Sequence, residues 1–340
     1  MKALAYEKAH SLDKFAIELM EVAEPALRDF DVLVEIHAVG INPGEAFIRS
    51  TRSAEPGGRV ILGWEFAGIV IGLGAQVKSF KVGDRVFGTG DMTRDGAWAE
   101  RVAVDHRIIA KIPDRLSLID AASLPIGAIT AWEAMWRDQS ELPNGVSRVL
   151  IIGGAGGVGS LATQLLKAKT KAFVITTASR PESQKWCVEI GADLVVDHTK
   201  DMEAQMASLQ IHQVDMVLST AKTAENLGWI AKLLRPFGHL SVVDLSPSLD
   251  ANPLMLKSAS LHVEMVFSKV LHGSDLHSVG RILEDVARLV GEEKIQPITT
   301  TRLDGLSAAT MRAAHKLVES RQTIGKVVIA TQPSKTSARN

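Results

Sequence analysis

Gly154, Gly156 and Gly159 stand in a G-x-G-x-x-G spacing inside the run Arg148-Val-Leu-Ile-Ile-Gly-Gly-Ala-Gly-Gly-Val-Gly-Ser-Leu-Ala-Thr-Gln-Leu-Leu-Lys167. A β-branched run leads into the glycines and an apolar helical pattern leaves them, so the segment reads as strand, turn and helix. Such a segment can cradle the pyrophosphate of a dinucleotide. The first glycine permits the tight turn, the second lets the backbone approach phosphate oxygens, and the third lets helix and strand pack closely. The helix start adds N–H groups and a partial positive charge for the anion. Gly154, Ala155, Gly156, Gly157, Val158 and Gly159 are the expected contacts.

The next strand, Ala172-Phe-Val-Ile-Thr-Thr177, should end near the adenine ribose. An NAD-preferring site would place Asp or Glu there to bind the 2′-hydroxyl. The chain instead reads Ala178-Ser179-Arg180, a small hydroxyl and a guanidinium suited to a 2′-phosphate. The cofactor expected is therefore NADPH, with Ser179 and Arg180 on the phosphate. Arg180 also reads as an exposed loop charge beside Pro181. Ligands sit beyond the carboxyl ends of parallel strands, which assigns Val243 and Asp244 to the nicotinamide side.

Around these residues, 340 positions are enough for two domains. Hydrophobic residues make up 46% and charged residues 23%, with formal net charge −1, so no basic field points to nucleic acid or to an anionic membrane. No apolar run spans a bilayer and the start lacks a signal-peptide core, so a cytosolic location is expected. The single cysteine, Cys187, excludes an internal disulfide and reads as a packed thiol.

Short β-branched runs punctuated by glycine fill residues 1–124, among them 32–37, 66–71 and 98–104, and predict an antiparallel barrel. Helical patterns follow over 116–124 and 129–137. From 149 onward strands alternate with helices, at 149–152, 173–176, 194–196, 215–218, 240–243 and 261–267. That is the pattern of a doubly wound parallel sheet, and the fold class is α/β. Helical periodicity over 279–291 and 308–320 precedes a strand-like 325–330, and the polar residues 331–340 read as a flexible tail.

The chain as a whole resembles the medium-chain dehydrogenase/reductase superfamily. The likeness rests on Gly63-Trp-Glu-Phe-Ala-Gly68, Gly83-Asp-Arg-Val86, Gly96-Ala-Trp-Ala-Glu100, Ala121-Ala-Ser-Leu-Pro125, Thr130-Ala-Trp-Glu133, the glycine loop and Gly325-Lys-Val327, all in family order. Within it the chain is most similar to the quinone oxidoreductase-like branch. Gly90-Asp-Met-Thr-Arg94, Ala178-Ser-Arg-Pro-Glu-Ser183 and Ser260-Leu-His-Val-Glu264 narrow the likeness to a zinc-type alcohol dehydrogenase-like subgroup. The resemblance implies a GroES-like barrel catalytic domain (1–124), a Rossmann domain (125–268) and a segment (269–330) that returns to the barrel. It also implies homodimers paired through the last Rossmann strand, 261–267.

Metal-dependent members hold zinc with Cys, His and a later Cys or acid, and the matching positions here carry Asn42, Trp64 and Ile126. None is a serviceable zinc ligand, so no metal is expected. Without a Lewis acid the expected substrate is an already electron-poor quinone or α,β-unsaturated carbonyl. Asn42 is expected to face the nicotinamide and substrate carbonyl, and it also reads as a turn residue before Pro43. Thr130 is the resemblance's nicotinamide contact, or a helix-start hydroxyl. Arg94, with Asp91 on a glycine-flanked loop, could orient a carbonyl or anion, or form a solvated pair. Glu45 and Glu65 read as proton relays or as ion pairs with Arg49 or Arg85, the pairs being favoured. Tyr6, the sole tyrosine, fits packing better than proton donation, and His262 reads as an interface or core residue. Two other functions stay open at this point: a zinc enzyme with unconventional ligands, and a non-catalytic NADPH-binding sensor or structural protein.

Overall fold

In the computed structural model, residues 1–137, 139–244, 246 and 248–331 are described, so most of the expected tail, 332–340, lies outside the described residues. The chain forms two compact units. One takes Met1–Ile126, Phe267–Glu292 and the chain from Pro297 onward; the other takes Gly127–Val266 and Glu293–Gln296.

The first unit turns the glycine-punctuated runs into strands. β1 (Lys2–Ala5) and β2 (Glu18–Glu21) form an antiparallel hairpin. β3 (Asp31–Ile41) organises the larger sheet: β4 (Glu65–Leu73) pairs along one edge, followed by β5 (Arg85–Thr89) and β7 (Ile109–Lys111). The other edge of β3 is divided between two strands. β6 (Arg101–Asp105) pairs with Asp31 to Glu35, and a strand from the far end of the chain pairs with Ala38 to Ile41. Register irregularities on the β4 side bend β3 at Leu33/Val34 and Ile36/Ala38. Val32, Val34, Ile36 and Ala38 all point into the core, the period-2 pattern expected of this run. α1 (Pro43–Thr51) follows β3, with Pro43 at its first position, and α2 (Leu118–Ala121) is capped by the Ser117 hydroxyl.

α3 (Pro125–Trp136) leads into the second unit. There β8 (Arg148–Ile152), β9 (Phe173–Thr177), β10 (Leu194–Val196), β11 (Val214–Ser219), β12 (Leu234–Val242) and β13 (Ser260–Val263) form a parallel sheet in the order β10-β9-β8-β11-β12-β13. Its helices are α4 (Gly157–Lys169), α5 (Pro181–Glu189), α6 (Met202–Ser208), α7 (Thr223–Leu233) and the short α8 (Asn252–Met255). The strand order reverses between β8 and β11, which makes this a doubly wound Rossmann sheet. β13 stops at Val263, earlier than the apolar run to Phe267 suggests, and Phe267 instead begins a helix.

The chain then re-enters the first unit through α9 (Ser268–His272) and α10 (Leu276–Gly291). β14 (Thr299–Asp304), α11 (Ala308–Glu319) and β15 (Lys326–Ala330) complete it. β15 runs antiparallel to β3 with Val327 opposite Ile41, and β14 runs parallel to β15. Through these pairings the end of the chain belongs to the first unit. No helix among the described residues is long and apolar enough to cross a membrane.

Candidate active site

In the second unit the glycine segment connects β8 to α4. Gly153 makes the tight turn, with φ of +79°, a role the spacing assigns to Gly154. Gly154 is constrained by crowding instead: a Cβ there would lie 2.5 Å from Thr176 Cβ and 3.2 Å from Cys187 Sγ. A Cβ on Gly159 would lie 2.3 Å from the Gly153 carbonyl oxygen, so strand and helix approach as closely as the sequence predicts. Over Gly156 the only neighbour such a Cβ would meet is the Gly153 oxygen at 3.5 Å, which leaves its outer side clear for a phosphate. Gly156 is the N-cap of α4, and Gly153 N–H donates to Thr177 Oγ1 at 3.0 Å. The segment fits a dinucleotide pyrophosphate: a thirteen-residue helix begins at Gly157, and its N-cap is another glycine, Gly156. Ala155 is buried against Ala178 and Cys187, and burial pushes the Cys187 thiol up, which keeps it inert.

At the end of β9, Ser179 and Arg180 are half-buried. Arg180 is the N-cap residue of α5; its Nη2 donates to Ser183 Oγ at 3.1 Å and its Nη1 lies 3.2 Å from Glu182 Oε1. Val243 N–H donates to the Ser219 carbonyl at 3.1 Å, extending the ladder past β12. The Asp244 carboxylate accepts from the Thr223 N–H at 3.0 Å and from the Thr223 hydroxyl, tying the strand end to the start of α7. Thr130 lies within α3 and is 7% exposed.

In the first unit the three positions matched to zinc ligands converge on two buried carboxylates. Glu65 is 0% exposed: its Oε1 accepts from Ile126 N–H at 2.8 Å, and its Oε2 accepts from Asn42 Nδ2 at 3.0 Å and from Lys326 Nζ at 2.5 Å. Lys326 also donates to Asn42 Oδ1 at 2.6 Å, so both ends of the Asn42 amide are engaged. Glu45 accepts from Asn42 N–H at 2.8 Å and from Trp64 N–H at 3.0 Å, joining the start of α1 to the start of β4. Burial pushes the Glu45 carboxyl up to about 7 against the pull of those two N–H groups. Trp64 is buried and packs edge-on against Phe267 at 5.6 Å.

The ion pairs expected for the two glutamates are replaced by these contacts. Arg49 instead pairs with Glu319 at 2.9 Å, and Arg85 donates to the carbonyls of Asp114 and Leu116. Arg94 is not brought to Asn42. It makes a fork on Asp31 at 2.7 and 3.0 Å and donates to the Ala26 carbonyl, and Asp91 accepts from Thr93 in its own loop. With its guanidinium held there, Arg94 is not placed to orient substrate beside Asn42, contrary to the expectation from its loop. Tyr6 is buried and its hydroxyl is pushed up to about 12, a poor proton donor near neutral pH. His262 sits on β13 with Nε2 3.1 Å from Glu264. Lys326 is the participant that sequence reasoning missed. Its motif was visible, but its partners follow only from the pairing of β15 with β3.

Comparison with known proteins adds a family to this geometry. Residues 28–114 match the family model of the alcohol dehydrogenase GroES-like domain, and residues 190–329 match that of zinc-binding dehydrogenases. A zinc-type alcohol dehydrogenase-like protein of Staphylococcus aureus (strain MSSA476) is 34% identical across 97% of this chain and 99% of its own. The chain is a medium-chain dehydrogenase/reductase.

Members of this superfamily are oxidoreductases, and solved relatives place the chain among them in structure. A Rhizobium etli CFN 42 protein, provisionally described as a zinc-dependent alcohol dehydrogenase, is 38% identical with a TM-score of 0.93 over 98% of both chains. The quinone oxidoreductase from Coxiella burnetii is 27% identical with a TM-score of 0.79 over 98% of this chain and 99% of its own. A mycobacterial protein solved with NADPH is 25% identical with a TM-score of 0.82 over 97% of this chain and 100% of its own. Among the described residues of this oxidoreductase, no group of three or more His, Cys, Asp or Glu side chains could hold a metal ion.

Proposed function

We propose that this oxidoreductase is an NADPH-dependent, zinc-independent reductase of quinones or α,β-unsaturated carbonyls. The observation that carries the reading is the donor set at the zinc-ligand positions. Asn42 offers an amide oxygen already held by the Lys326 ammonium at 2.6 Å, and Trp64 and Ile126 offer no lone pair that binds zinc. A cation there opposes a second cation, so a zinc ion does not fit these residues. A carbonyl without a Lewis acid must already be electrophilic, which favours conjugated acceptors over simple aldehydes and alcohols. The name of the Coxiella relative agrees with such an acceptor.

When bound, the nicotinamide supplies the hydride. Gly154 to Gly159 would hold its pyrophosphate and Ser179 and Arg180 its 2′-phosphate, with Glu182 giving up its contact to Arg180. The relative solved with NADPH supports this preference. Asn42 retains one Nδ2 hydrogen beyond its bond to Glu65, and we assign that hydrogen to the acceptor oxygen, the developing anion being stabilised by the adjacent Lys326 charge. Thr130 is assigned to the nicotinamide side, and Val243 to the same region. We also infer homodimers through β13, the outermost strand of its sheet, on which Val263 is 69% exposed.

Stopped-flow absorbance of NADPH with a panel of quinones, enals and enones tests the function, with total metal measured on the same sample. Turnover insensitive to chelators is expected. Tight binding without turnover on any member of the panel would favour a sensor, and stoichiometric zinc with chelator-sensitive activity would overturn the metal-free reading. Arg180→Ala should raise KM for NADPH selectively, and an equal effect on NADH would remove the cofactor assignment.

A further inference from the structure

On the first unit, beside the C-terminal end of α1, a cavity of about 360 Å³ is lined by Arg28, Arg52, Arg59 and Arg94. Arg94 is fixed by its fork on Asp31, at 2.7 and 3.0 Å. Arg52 gives one N–H to the Met92 carbonyl at 3.1 Å, and Arg59 gives one to the Glu21 carbonyl at 3.3 Å. Those two guanidinium groups are thus aimed by neutral backbone oxygens rather than by carboxylates, and each carries five N–H donors.

Among the residues lining the cavity the acid is Asp95, and Asp31 lies beneath Arg94 as its ion-pair partner. Four arginines against two carboxylates leave an excess of two positive charges. Part of the wall is apolar, formed by Pro25, Val60, Ile61 and Ala103. Arg52 lies at the opposite end of α1 from Asn42, roughly 15 Å away at 1.5 Å per residue, so this is not part of the Asn42 cluster.

We propose that this cavity binds a compact dianion, a phosphate monoester or a dicarboxylate, whose body rests on the apolar wall. Fork-shaped donors match both anions in two parallel hydrogen bonds, and a cavity of this size lies in the range of small-molecule sites. The excess charge equals that of the ligand. The inference is independent of the reductase reading, since none of its residues contacts Asn42, Glu65 or the glycine segment in the bonds described above.

Calorimetric titration of the full chain with inorganic phosphate and, separately, with malonate tests it. Both should bind the wild type, with affinity falling as salt rises. The double variant Arg52→Ala/Arg59→Ala should weaken binding by about tenfold or more. Arg52→Lys/Arg59→Lys should recover only part of it, because the charge returns without the fork. Arg180→Ala, in the second unit, separates this cavity from the dinucleotide cradle and should leave malonate binding unchanged. Preference for phosphate over malonate would assign a phosphoryl ligand, and the reverse a dicarboxylate. No uptake of either anion by the wild type, or uptake unchanged in the double alanine variant, overturns the proposal.

Discussion

Acid should loosen the latch between α1 and α11, and His315 sets where. Its ring is 0% exposed, its Nδ1 accepts from Arg49 Nη1 at 2.8 Å, and Trp98 and Phe15 stand edge-on at 5.2 and 5.8 Å. Burial, then the charges of Arg49 and His10, hold the imidazole pKa from 6.5 down to about 3. Because the folded value lies below the unfolded one, the stabilisation is complete above pH 6.5 and is lost as pH falls toward about 3. At about 1.4 kcal/mol per unit, the whole displacement is worth on the order of 5 kcal/mol, of which about 3 kcal/mol is gone by pH 4. Urea unfolding from about pH 8 to about pH 4 should show this loss. Circular dichroism and tryptophan fluorescence should be followed together, because two compact units need not unfold in one step. His315→Gln lowers stability near pH 8, where the ring is neutral, and removes the His315 share of the slope. Glu319→Gln, which alters the carboxylate 2.9 Å from Arg49, isolates the acid's share. Parallel stability curves for wild type and His315→Gln would refute the reasoning.

Glu45 works in the opposite direction. Its folded pKa of about 7 lies above the ordinary 4.5, so its contribution is full below pH 4.5 and declines by on the order of 3 kcal/mol toward pH 7. Glu45→Gln should flatten that decline in the same urea series. Lys326→Met strands the buried Glu65 charge and should cost about 3–5 kcal/mol, whereas adding Glu65→Gln should recover much of it. Equal losses in the single and double variants, measured by denaturant midpoint, would count against the buried pair. Gly159→Ala must displace the Gly153 carbonyl, since its Cβ would come within 2.3 Å. It should cost about 1–3 kcal/mol and weaken NADPH binding by calorimetry, and unaltered binding would argue against the cradle.

The second unit was legible almost strand by strand, because a parallel sheet writes each strand as a short apolar run and each crossover as a helical period. The glycine turn was legible for the same local reason, although its left-handed residue is Gly153. The ends of β12 and β13 were less so, since a run such as Leu261 to Phe267 is equally apolar in a strand or at a helix start. The Asn42 cluster was half legible. Asn42 and Glu65 stood out by type and place, but their partners are set by register. Lys326 meets Asn42 only because Val327 faces Ile41, a pairing across most of the chain that no local pattern encodes. Arg94 failed for a related reason: its partner Asp31 precedes it by 63 residues.

The division of one edge of β3 between β6 and β15 sets an order of assembly on the ribosome. Gly127–Val266 is nearly contiguous and holds the residues it needs to close its sheet soon after they emerge. The earlier-made barrel must wait with half of the β3 edge open, and with Glu65 lacking its cation, until residues 326–330 have been synthesised. During that interval the exposed edge is a template for wrong pairing. A truncation just before Lys326 would therefore leave a finished Rossmann unit attached to an unfinished partner, and nascent-chain chaperones would find their binding surface at the amino-terminal end.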